Sequence, residues 1–320
     1  LILAQEIIVD NSSYPTEEIE KVSHNYRTLG LGYANLGAFL MAQGLPYDGD
    51  RARNLAASIT ALMTGQAYLT SAEIAENMGP FAGFEENRIP MMGVIHKHRE
   101  SLSKIDSAMV PMDLLHGAME VWDEAIRKGS QDGFRNAQVT LLAPTGTIAF
   151  MMDCDTTGIE PDFSLVKIKK LVGGGTLKIV NHTVPRALKK LGYEEDEVKD
   201  MLVYLDKRET VEGAPHLKDE HLQVFDCADH PANGVRFIPY LGHIKMCGAV
   251  QPFLSGAISK TINLPSSATA SEIMDAYIEG WKNGLKSISV YRDGCKLVQP
   301  LSSGEATPQV AVPPRRNMPK

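Results

Sequence analysis

The chain has 320 residues, of which 43% are hydrophobic and 22% are charged. This composition is typical of a soluble globular protein and excludes a disordered or collagen-like chain. A formal net charge of −7 argues against a protein whose main role is to coat nucleic acid, so no nucleic-acid partner is expected. No run of about 18 apolar residues occurs, which argues against a transmembrane helix and a membrane partner.

The first residues and the cysteines indicate the setting of the protein. Leu1-Ile2-Leu3-Ala4 has the pattern of the interior of a structured region and lacks the basic segment of a signal peptide. We therefore expect a fragment of a longer, cytoplasmic chain. The cysteines occur without a CxxC pair, which favours reduced, buried thiols over a disulfide framework. They are Cys154, Cys227, Cys247 and Cys295, and the pattern assigns no role to any of them.

A long helix is predicted in the first quarter of the chain. Its apolar spacing runs from Asp50, in the N-cap position, to Gly79-Pro80, where the pattern stops. The apolar stripe consists of Leu55, Ile59, Leu62 and Leu69. Just before this helix, the glycines of the stretch from Gly30 to Gly37 are expected to let a helix pack closely against a neighbour.

A second helix and a short strand are predicted next. The helix carries an apolar stripe that ends at Gly129 and consists of Leu115, Met119, Trp122 and Ile126. The run from Gln138 to Ala143 is β-prone. Long helices that alternate with short strands indicate an α/β architecture with largely parallel pairing.

The stretch that follows this strand is a candidate anion site. It contains Pro144, Thr145, Gly146, Thr147 and Ile148. Backbone N–H groups at a turn that leads into a helix bind phosphate without a charged side chain, and the two threonines add hydroxyl donors. An ordinary strand-to-helix turn is the alternative, and local chemistry alone favours that alternative.

Three other features predict structure rather than chemistry. Gly173-Gly174-Gly175 lacks the P-loop lysine and the GxGxxG spacing, so a hinge or tight turn is expected. The acidic run Glu194–Glu197 is expected to be a solvated helix start. His243 is isolated from other histidines, so a hydrogen-bonded buried histidine is expected rather than a metal ligand.

The C-terminal part contains a helix, a strand and a tail. Thr269 and Glu272 form a capping-box pattern, and the helix that follows is expected to end at Asn283-Gly284. One face of this helix carries Ile273, Tyr277, Trp281 and Leu285. Residues 287–291 alternate like a strand. Residues 1–299 are predicted to form the folded domain, and residues 300–320 a Pro/Ser-rich linker or disordered tail.

Several of these segments resemble one family, the adenosylcobalamin-dependent ribonucleotide reductases. The matching stretches occur in the order of the family from about Leu1 to Gln299. They are 27–32, 143–148, 157–161, 173–181, 251–261, 284–286 and 291–294. The resemblance implies the second half of a ten-stranded α/β barrel made of two five-stranded halves, surrounded by long helices.

The resemblance also implies a radical reaction on a nucleotide. A ribonucleoside diphosphate would lose its ribose 2′-hydroxyl to give the deoxyribonucleotide for DNA synthesis. Adenosylcobalamin would start a protein thiyl radical, and a thioredoxin-type reductant would restore the cysteine pair. The family's substrate-phosphate loop falls on Pro144, Thr145, Gly146, Thr147 and Ile148. The oligomeric state stays open, with a homodimer as one alternative.

This sequence departs from the family pattern in two ways, which indicate the class of reductase and the part of its catalytic chain. The oxygen-dependent class carries paired tyrosines where this chain has Ser289 and Val290, and neither can act as a tyrosyl relay. The glycyl-radical motif of the oxygen-sensitive class is missing, so the cobalamin class remains. The family's Cys-x-Glu radical loop is also missing from the 320 residues. We therefore expect no catalytic residue within these residues, and no nucleotide reduction by this chain alone.

An alternative from another class stays open. The same scaffold could serve as a non-catalytic nucleotide-binding or assembly module that has lost the radical chemistry, because fold alone does not determine function. An upstream reading frame with a Cys-x-Glu loop would favour the enzyme, and a start codon just before Leu1 would favour the module.

Overall fold

The computed structural model describes residues 1–171, 175–231 and 233–295. The predicted turn at Gly173-Gly174-Gly175 is therefore described only at Gly175, and the predicted tail of residues 300–320 lies outside the described residues. The single folded domain of residues 1–299 stays a prediction.

Helices dominate the described residues. Short 3-10 turns lie at Ser101–Lys104, Asp219–Phe225 and Gln251–Phe253. The α-helices are α1 Ile2–Asn11, α2 Glu17–Tyr26, α3 Leu36–Ala42, α4 Asp50–Met78, α5 Phe84–Glu100, α6 Met112–Asp132, α7 Gly146–Met151, α8 Val184–Lys190, α9 Glu195–Arg208, α10 Tyr240–Val250 and α11 Ala270–Lys282. None of these described helices has the length and hydropathy that a membrane span requires.

The central helix α4 confirms the first predicted helix, but only Leu69 of its predicted apolar stripe is buried. Its buried positions are mostly alanine, serine and threonine, whereas Leu55, Ile59 and Leu62 are only half-buried. Small residues let α6 approach closely: a Cβ on Gly65 would lie 2.7 Å from Val121 Cγ2. Trp122 fills the seam and donates from Nε1 to the Ala61 carbonyl at 2.9 Å.

The ends of these two helices differ in part from the predictions. The N-cap of α4 is Gly49, and Asp50 instead forms an ion pair with Arg53 at 2.6 Å. Gly79, with φ of 78°, ends α4 as predicted. The predicted end of α6 at Gly129 is wrong, because the helix continues to Asp132 and stops at Gly133, where φ is 76°.

The strands form a hairpin and a parallel pair. Strands β1 (Val166–Leu171) and β2 (Gly175–Val180) are antiparallel. Strands β3 (Thr261–Leu264) and β4 (Ser289–Arg292) are parallel, with Thr261 opposite Ser289. Helix α11 connects β3 to β4, so the three elements form a βαβ unit.

Further extended segments continue the parallel pairing. Leu31 pairs with Thr140, and Leu142 pairs with Ile258, both in parallel. The β-prone run from Gln138 is therefore confirmed as an extended segment that pairs with the segments on both sides. The described residues do not form a closed barrel, and the ten-stranded arrangement stays a prediction.

Close approach to residue 141 explains two of the early glycines. Gly30 and Gly32 lie in an extended segment, not in the expected helix, and a Cβ on Gly32 would lie 2.4 Å from the Leu141 carbonyl oxygen. Gly37 does lie in a helix, α3, where a Cβ would be 2.6 Å from the Glu160 carbonyl oxygen. Helix-to-neighbour packing is thus confirmed at Gly37 and wrong at the other two.

The predictions for α9 and α11 are confirmed at the start of each helix. Glu194 and Glu197 form a capping box at α9, and Thr269 and Glu272 form one at α11. The predicted buried face of α11 is wrong, since Trp281 is 79% exposed. The buried positions are Ala276, which packs in a cluster with Ile244 of α10 and Ile262 of β3, and Gly280, where a Cβ would lie 2.8 Å from Ile288 Cδ1.

Candidate functional site

A cavity of about 520 Å³ lies beside β3 and β4. This volume is in the range of small-ligand pockets, roughly 300–1,000 Å³. The segment from Cys154 to Phe163 forms another part of the wall, and Phe150 and Phe237 add aromatic rings. The wall therefore combines flat apolar surfaces with hydroxyl and carboxylate groups, a mixture that suits a sugar and a base.

The predicted anion loop adjoins this cavity. It follows the extended segment that ends at Leu142 and leads into α7, with Thr145 in the left-handed conformation at φ of 51°. Pro144, Gly146, Thr147 and Ile148 are exposed. A Cβ on Gly146 would have no heavy atom within 4 Å, so the space above the loop is open.

The donors of the loop are available. Among the described residues, no acceptor takes a hydrogen bond from the backbone N–H groups of Gly146, Thr147 or Ile148. The first N–H groups of a helix point outward along its axis, and they favour negative charge. The loop thus presents three neighbouring donors to an open space.

A hydrogen bond fixes the loop to the next motif. Thr145 Oγ1 accepts from the Gly158 N–H at 2.7 Å, so its hydroxyl hydrogen is left to donate elsewhere. Gly158 has φ of 48°, and a Cβ there would lie 2.7 Å from the Ala143 carbonyl oxygen. The two motifs that the sequence singled out, 143–148 and 157–161, are therefore in direct contact.

The loop borders the cavity without lining it. None of its five residues belongs to the described wall, whereas Phe150, two positions later, and Thr157, beside Gly158, do belong to it. A ligand with its anionic end at the loop would therefore have to extend past residues 157 and 158 to enter the cavity.

Helix α3 supports the 156–161 turn from behind. Asn35 Oδ1 accepts from the Thr156 N–H at 3.0 Å, and Thr156 Oγ1 accepts from the Ala38 N–H at 3.1 Å. Tyr47 donates its hydroxyl to the Ile159 carbonyl at 2.7 Å. These contacts fix the backbone of the turn against a buried helix, so its cavity-facing residues have a rigid support.

An ion pair joins this turn to β3. The Lys260 ammonium donates to Glu160 Oε2 and to the Thr261 carbonyl, and Glu160 Oε1 accepts from the Thr261 N–H at 2.9 Å. Glu160 and Thr261 line the cavity. In the sequence, the stretches 157–161 and 251–261 stand out only by their resemblance to the family. Glu160 and Lys260 are 100 residues apart, so the sequence gives no sign that they form an ion pair.

Strand β4 places on the cavity wall the two positions that distinguish the reductase classes in the sequence. Ser289 and Val290 line the cavity together with Tyr291. The positions at which the resemblance expects paired tyrosines therefore face the same space as Glu160. Ser289 has a hydroxyl and Val290 an aliphatic side chain, so neither position can carry a tyrosyl radical relay.

The cysteines are only partly buried as expected. Cys227 and Cys247 are buried, but Cys154 is half-buried on the cavity wall and Cys295 is exposed, so the prediction is wrong for these two. Burial raises the pKa of the Cys247 thiol to about 12, with the Lys260 charge acting in the opposite direction. Cys247 is therefore an unreactive thiol near neutral pH.

His243 is buried, as predicted, but not hydrogen-bonded. Its ring nitrogens approach the Ile238 carbonyl without reaching hydrogen-bond geometry. Burial lowers the pKa of His243 well below its ordinary value, and the Lys260 charge lowers it further. Among the described residues, no group of three or more His, Cys, Asp or Glu side chains could hold a metal ion.

Two family-like stretches have a structural role. The Lys286 ammonium donates to the carbonyls of Leu254, Ser255 and Gly256 at 2.9, 2.8 and 3.3 Å. Gln251 Nε2 also donates to the Gly256 carbonyl, at 3.1 Å. These bonds hold the segment that precedes β3, and so they position the cavity wall from outside it.

Comparisons with known proteins show the family to which this sequence is similar. The family model described as "Ribonucleotide reductase, barrel domain" matches residues 1–291. The chain is 56% identical over 301 residues to the vitamin B12-dependent ribonucleotide reductase of Rhodopirellula baltica, which covers 94% of this chain and 29% of that protein. It is 50% identical over 306 residues to the protein of the same name from Streptantibioticus cattleyicolor, with 95% and 50% covered.

A more distant relative carries a more specific name. The vitamin B12-dependent ribonucleoside-diphosphate reductase of Mycobacterium tuberculosis is 31% identical over 304 residues, which cover 95% of this chain and 37% of that protein. The chain thus spans half or less of the length of each of these three relatives.

Proposed function

The chain belongs to the ribonucleotide reductase barrel-domain family, and we propose that it is part of the catalytic chain of a cobalamin-dependent ribonucleoside-diphosphate reductase. Its contribution is the substrate-phosphate loop and one wall of the nucleotide cavity. The diphosphate preference is supported by the name of the Mycobacterium tuberculosis relative.

The observation that carries the proposal is the loop beside the cavity. Gly146, Thr147 and Ile148 offer N–H groups that no described residue uses, and the nearby cavity of about 520 Å³ is large enough for a nucleoside. Neutral donors bind a diphosphate without a charged side chain. The rest of the nucleotide would extend past Thr157 into the cavity.

The work of this chain in the reaction is to bind and orient. The three N–H groups hold the diphosphate, and the Thr145 hydroxyl, fixed by Gly158, donates to it. The turn supported by α3 and strand β4 then direct the ribose into a partly closed space. Removal of the 2′-hydroxyl as water needs two electrons, which we assign to a cysteine pair in the longer protein.

Adenosylcobalamin is the cofactor that the names of the relatives support. The described residues do not by themselves fit a corrin. The cavity has the volume of a nucleotide-sized ligand, and the buried histidines with unpartnered ring nitrogens, His98 and His243, lie outside its wall. No described residue is therefore assigned to the cofactor, and the thioredoxin-type reductant and the homodimer stay predictions.

A single substitution with a matched control tests the loop. Gly146→Glu places a carboxylate where the diphosphate would bind, in open space and at a helix start that favours an acidic residue. Gly93→Glu adds the same side chain at an exposed position of α5 that is equally open. Calorimetric titration with a nucleoside diphosphate should show binding by the parent and the Gly93 variant, and none by the Gly146 variant. Equal affinity of all three would refute the assigned loop.

A second experiment tests the reductase itself. The isolated chain should form no deoxynucleotide when mixed with adenosylcobalamin, a dithiol and a ribonucleoside diphosphate, because it has no Cys-x-Glu motif. The Rhodopirellula baltica relative, with this chain in place of its matching region, should form the product. A folded hybrid that binds nucleotide but forms no product would favour the non-catalytic module.

A further inference from the structure

The ion pair between Lys260 and Glu160 is exposed on one side only. The Lys260 side chain is 1% exposed, whereas that of Glu160 is 21% exposed and lines the cavity. The ammonium is therefore closed off in the interior, and the carboxylate is the part of the pair that a ligand can reach.

Stability alone does not account for this arrangement. Desolvation of a buried ammonium costs several kcal/mol, and well-packed apolar residues often replace a buried ion pair with no loss of stability. The surroundings of Lys260 are otherwise apolar or neutral: Cys247 is a buried thiol, and the pKa of His243 is lowered by burial and by the Lys260 charge. Glu160 is the carboxylate that pairs with the Lys260 ammonium among the described residues, and the ammonium therefore holds the Glu160 side chain in place.

The carboxylate is held at both oxygens and keeps spare acceptor capacity. Glu160 Oε2 accepts from Lys260, and Oε1 accepts from the Thr261 N–H. A carboxylate offers about four acceptor sites, so about two are left for a ligand in the cavity. Because Lys260 compensates the charge, the carboxylate can accept from a neutral hydroxyl without adding net repulsion toward a diphosphate.

The position of Glu160 relative to the phosphate loop selects the group that it meets. Gly158 is hydrogen-bonded to Thr145 of the loop, and Glu160 is two residues further along the chain. Two residues span at most about 7 Å, so the Glu160 backbone lies within about the length of one sugar unit of Gly158. A nucleotide that extends from the loop past residues 157 and 158 therefore brings its ribose to the part of the cavity wall that Glu160 lines.

We propose that Glu160 accepts a hydrogen bond from a ribose hydroxyl of the nucleotide, and that Lys260 is the positioning residue that holds the carboxylate for this contact. This inference rests on the proposed function, since it takes the loop as the phosphate site. The inference adds Glu160 as a residue of this chain that distinguishes ribose from deoxyribose.

The test compares nucleotides that differ only in the ribose hydroxyls. The parent should bind a ribonucleoside diphosphate about tenfold more tightly than its 2′-deoxy or its 3′-deoxy analogue, the loss expected for one hydrogen bond to a charged acceptor. Glu160→Gln should abolish this preference. The amide has one acceptor oxygen, so its NH₂ group must face either the Lys260 ammonium or the Thr261 N–H.

Two further variants keep the test independent of folding. Glu160→Gln combined with Lys260→Met removes both charges, so no unpaired ammonium is left in the interior, and it should also bind ribo- and deoxynucleotides equally. Glu124→Gln removes a carboxylate from an exposed ion pair with Arg127 on α6, and it should keep the tenfold preference. Lys260→Met alone should reduce the preference and should also weaken binding of both nucleotides, because the Glu160 charge is then uncompensated.

The outcomes separate this inference from the proposed function. If the parent binds and Gly146→Glu abolishes binding, yet Glu160→Gln and the double variant keep the full ribose preference, then Glu160 does not read the sugar. A parent that binds ribo- and deoxynucleotides equally also overturns the inference and leaves the loop intact. If Gly146→Glu has no effect on binding, both the loop and the inference fail.

Discussion

The Thr145 hydroxyl oxygen accepts a hydrogen bond from the Gly158 backbone N–H at 2.7 Å. Thirteen positions separate the two residues, and each belongs to a different motif of the sequence. One side chain of the phosphate loop thus serves the fold, whereas the side chain of Thr147, two positions later, is exposed. The two threonines should therefore respond differently to substitution.

The first prediction concerns these two hydroxyls. Thr145→Val should lower the free energy of unfolding by about 1 kcal/mol, because the Gly158 N–H loses its acceptor. Thr147→Val should leave unfolding unchanged, since its side chain is exposed. The two substitutions together should abolish nucleoside-diphosphate binding. Urea unfolding and calorimetric titration measure the two effects.

A control for the threonine variants keeps the hydroxyl. Thr147→Ser should bind as the parent does, because the donor is retained and only a methyl group is lost. The assigned role of the loop is wrong if the double valine variant binds with the affinity of the parent.

The second prediction concerns the backbone at Gly158. Gly158→Ala should cost about 1–3 kcal/mol, because its φ of 48° disfavours a side chain and the new Cβ would lie 2.7 Å from the Ala143 carbonyl oxygen. Gly284→Ala is the matched control, because its φ is 72° but a Cβ there has no atom within 4 Å. It should show the conformational cost alone, about 1 kcal/mol. Equal urea midpoints for the two variants would show that the close approach has no cost.

The third prediction concerns Lys286. Lys286→Met should lower the free energy of unfolding by on the order of 2 kcal/mol, because the carbonyls of Leu254, Ser255 and Gly256 lose their shared donor. Lys282→Met is the control, because Lys282 forms an exposed, solvent-screened pair with Glu279 that contributes little to stability. Thermal and urea unfolding compare the two variants, and similar losses for both would contradict the anchoring role.

The sequence predicts the helices better than the faces they bury. The capping box at Thr269 is a local signal, and it places the start of α11 correctly. The apolar stripe through Trp281 fails, because α11 packs against α10 and Ile288 at Ala276 and Gly280. An apolar side chain on a helix does not by itself show where the neighbour lies. Helix α4 likewise buries its small residues in close packing, and Leu55 and Leu62 are therefore only half-buried.

The candidate site divides in a similar way. The phosphate loop is a contiguous stretch, so the pattern and the family resemblance both point to residues 144–148. The pair of Lys260 and Glu160 joins positions 100 residues apart, and neither residue is unusual in its own segment. Only the packing of β3 against the 156–161 turn brings them together, so no single-sequence pattern could reveal the pair.

Two buried histidines make stability depend on mildly acidic pH. Burial lowers the pKa of His98, which is stacked on Trp122 with ring centroids 5.3 Å apart, and burial lowers the pKa of His243 still further. In the unfolded chain both titrate near pH 6.5. The unfolded state therefore binds more protons than the folded state between the lowered pKa of each folded histidine and about pH 6.5, and stability is lost as the pH falls through this range.

The fourth prediction follows from this difference in proton binding. The free energy of unfolding should be nearly constant between pH about 7 and about 8 and should fall below pH about 6, with a slope of at most roughly 1.4 kcal/mol per pH unit for each histidine. Paired carboxylates such as Asp123 have lowered pKa values and contribute only at more acidic pH. Burial raises the pKa of Asp226, and its protonation in the fold opposes the loss, so the comparison with a histidine variant isolates one histidine. His98→Gln should remove one histidine's share of the slope, because the side chain no longer takes up a proton on unfolding. Urea unfolding at half-unit pH intervals measures the slope. An equal slope in the parent and the His98 variant would show that His98 does not resist protonation in the fold.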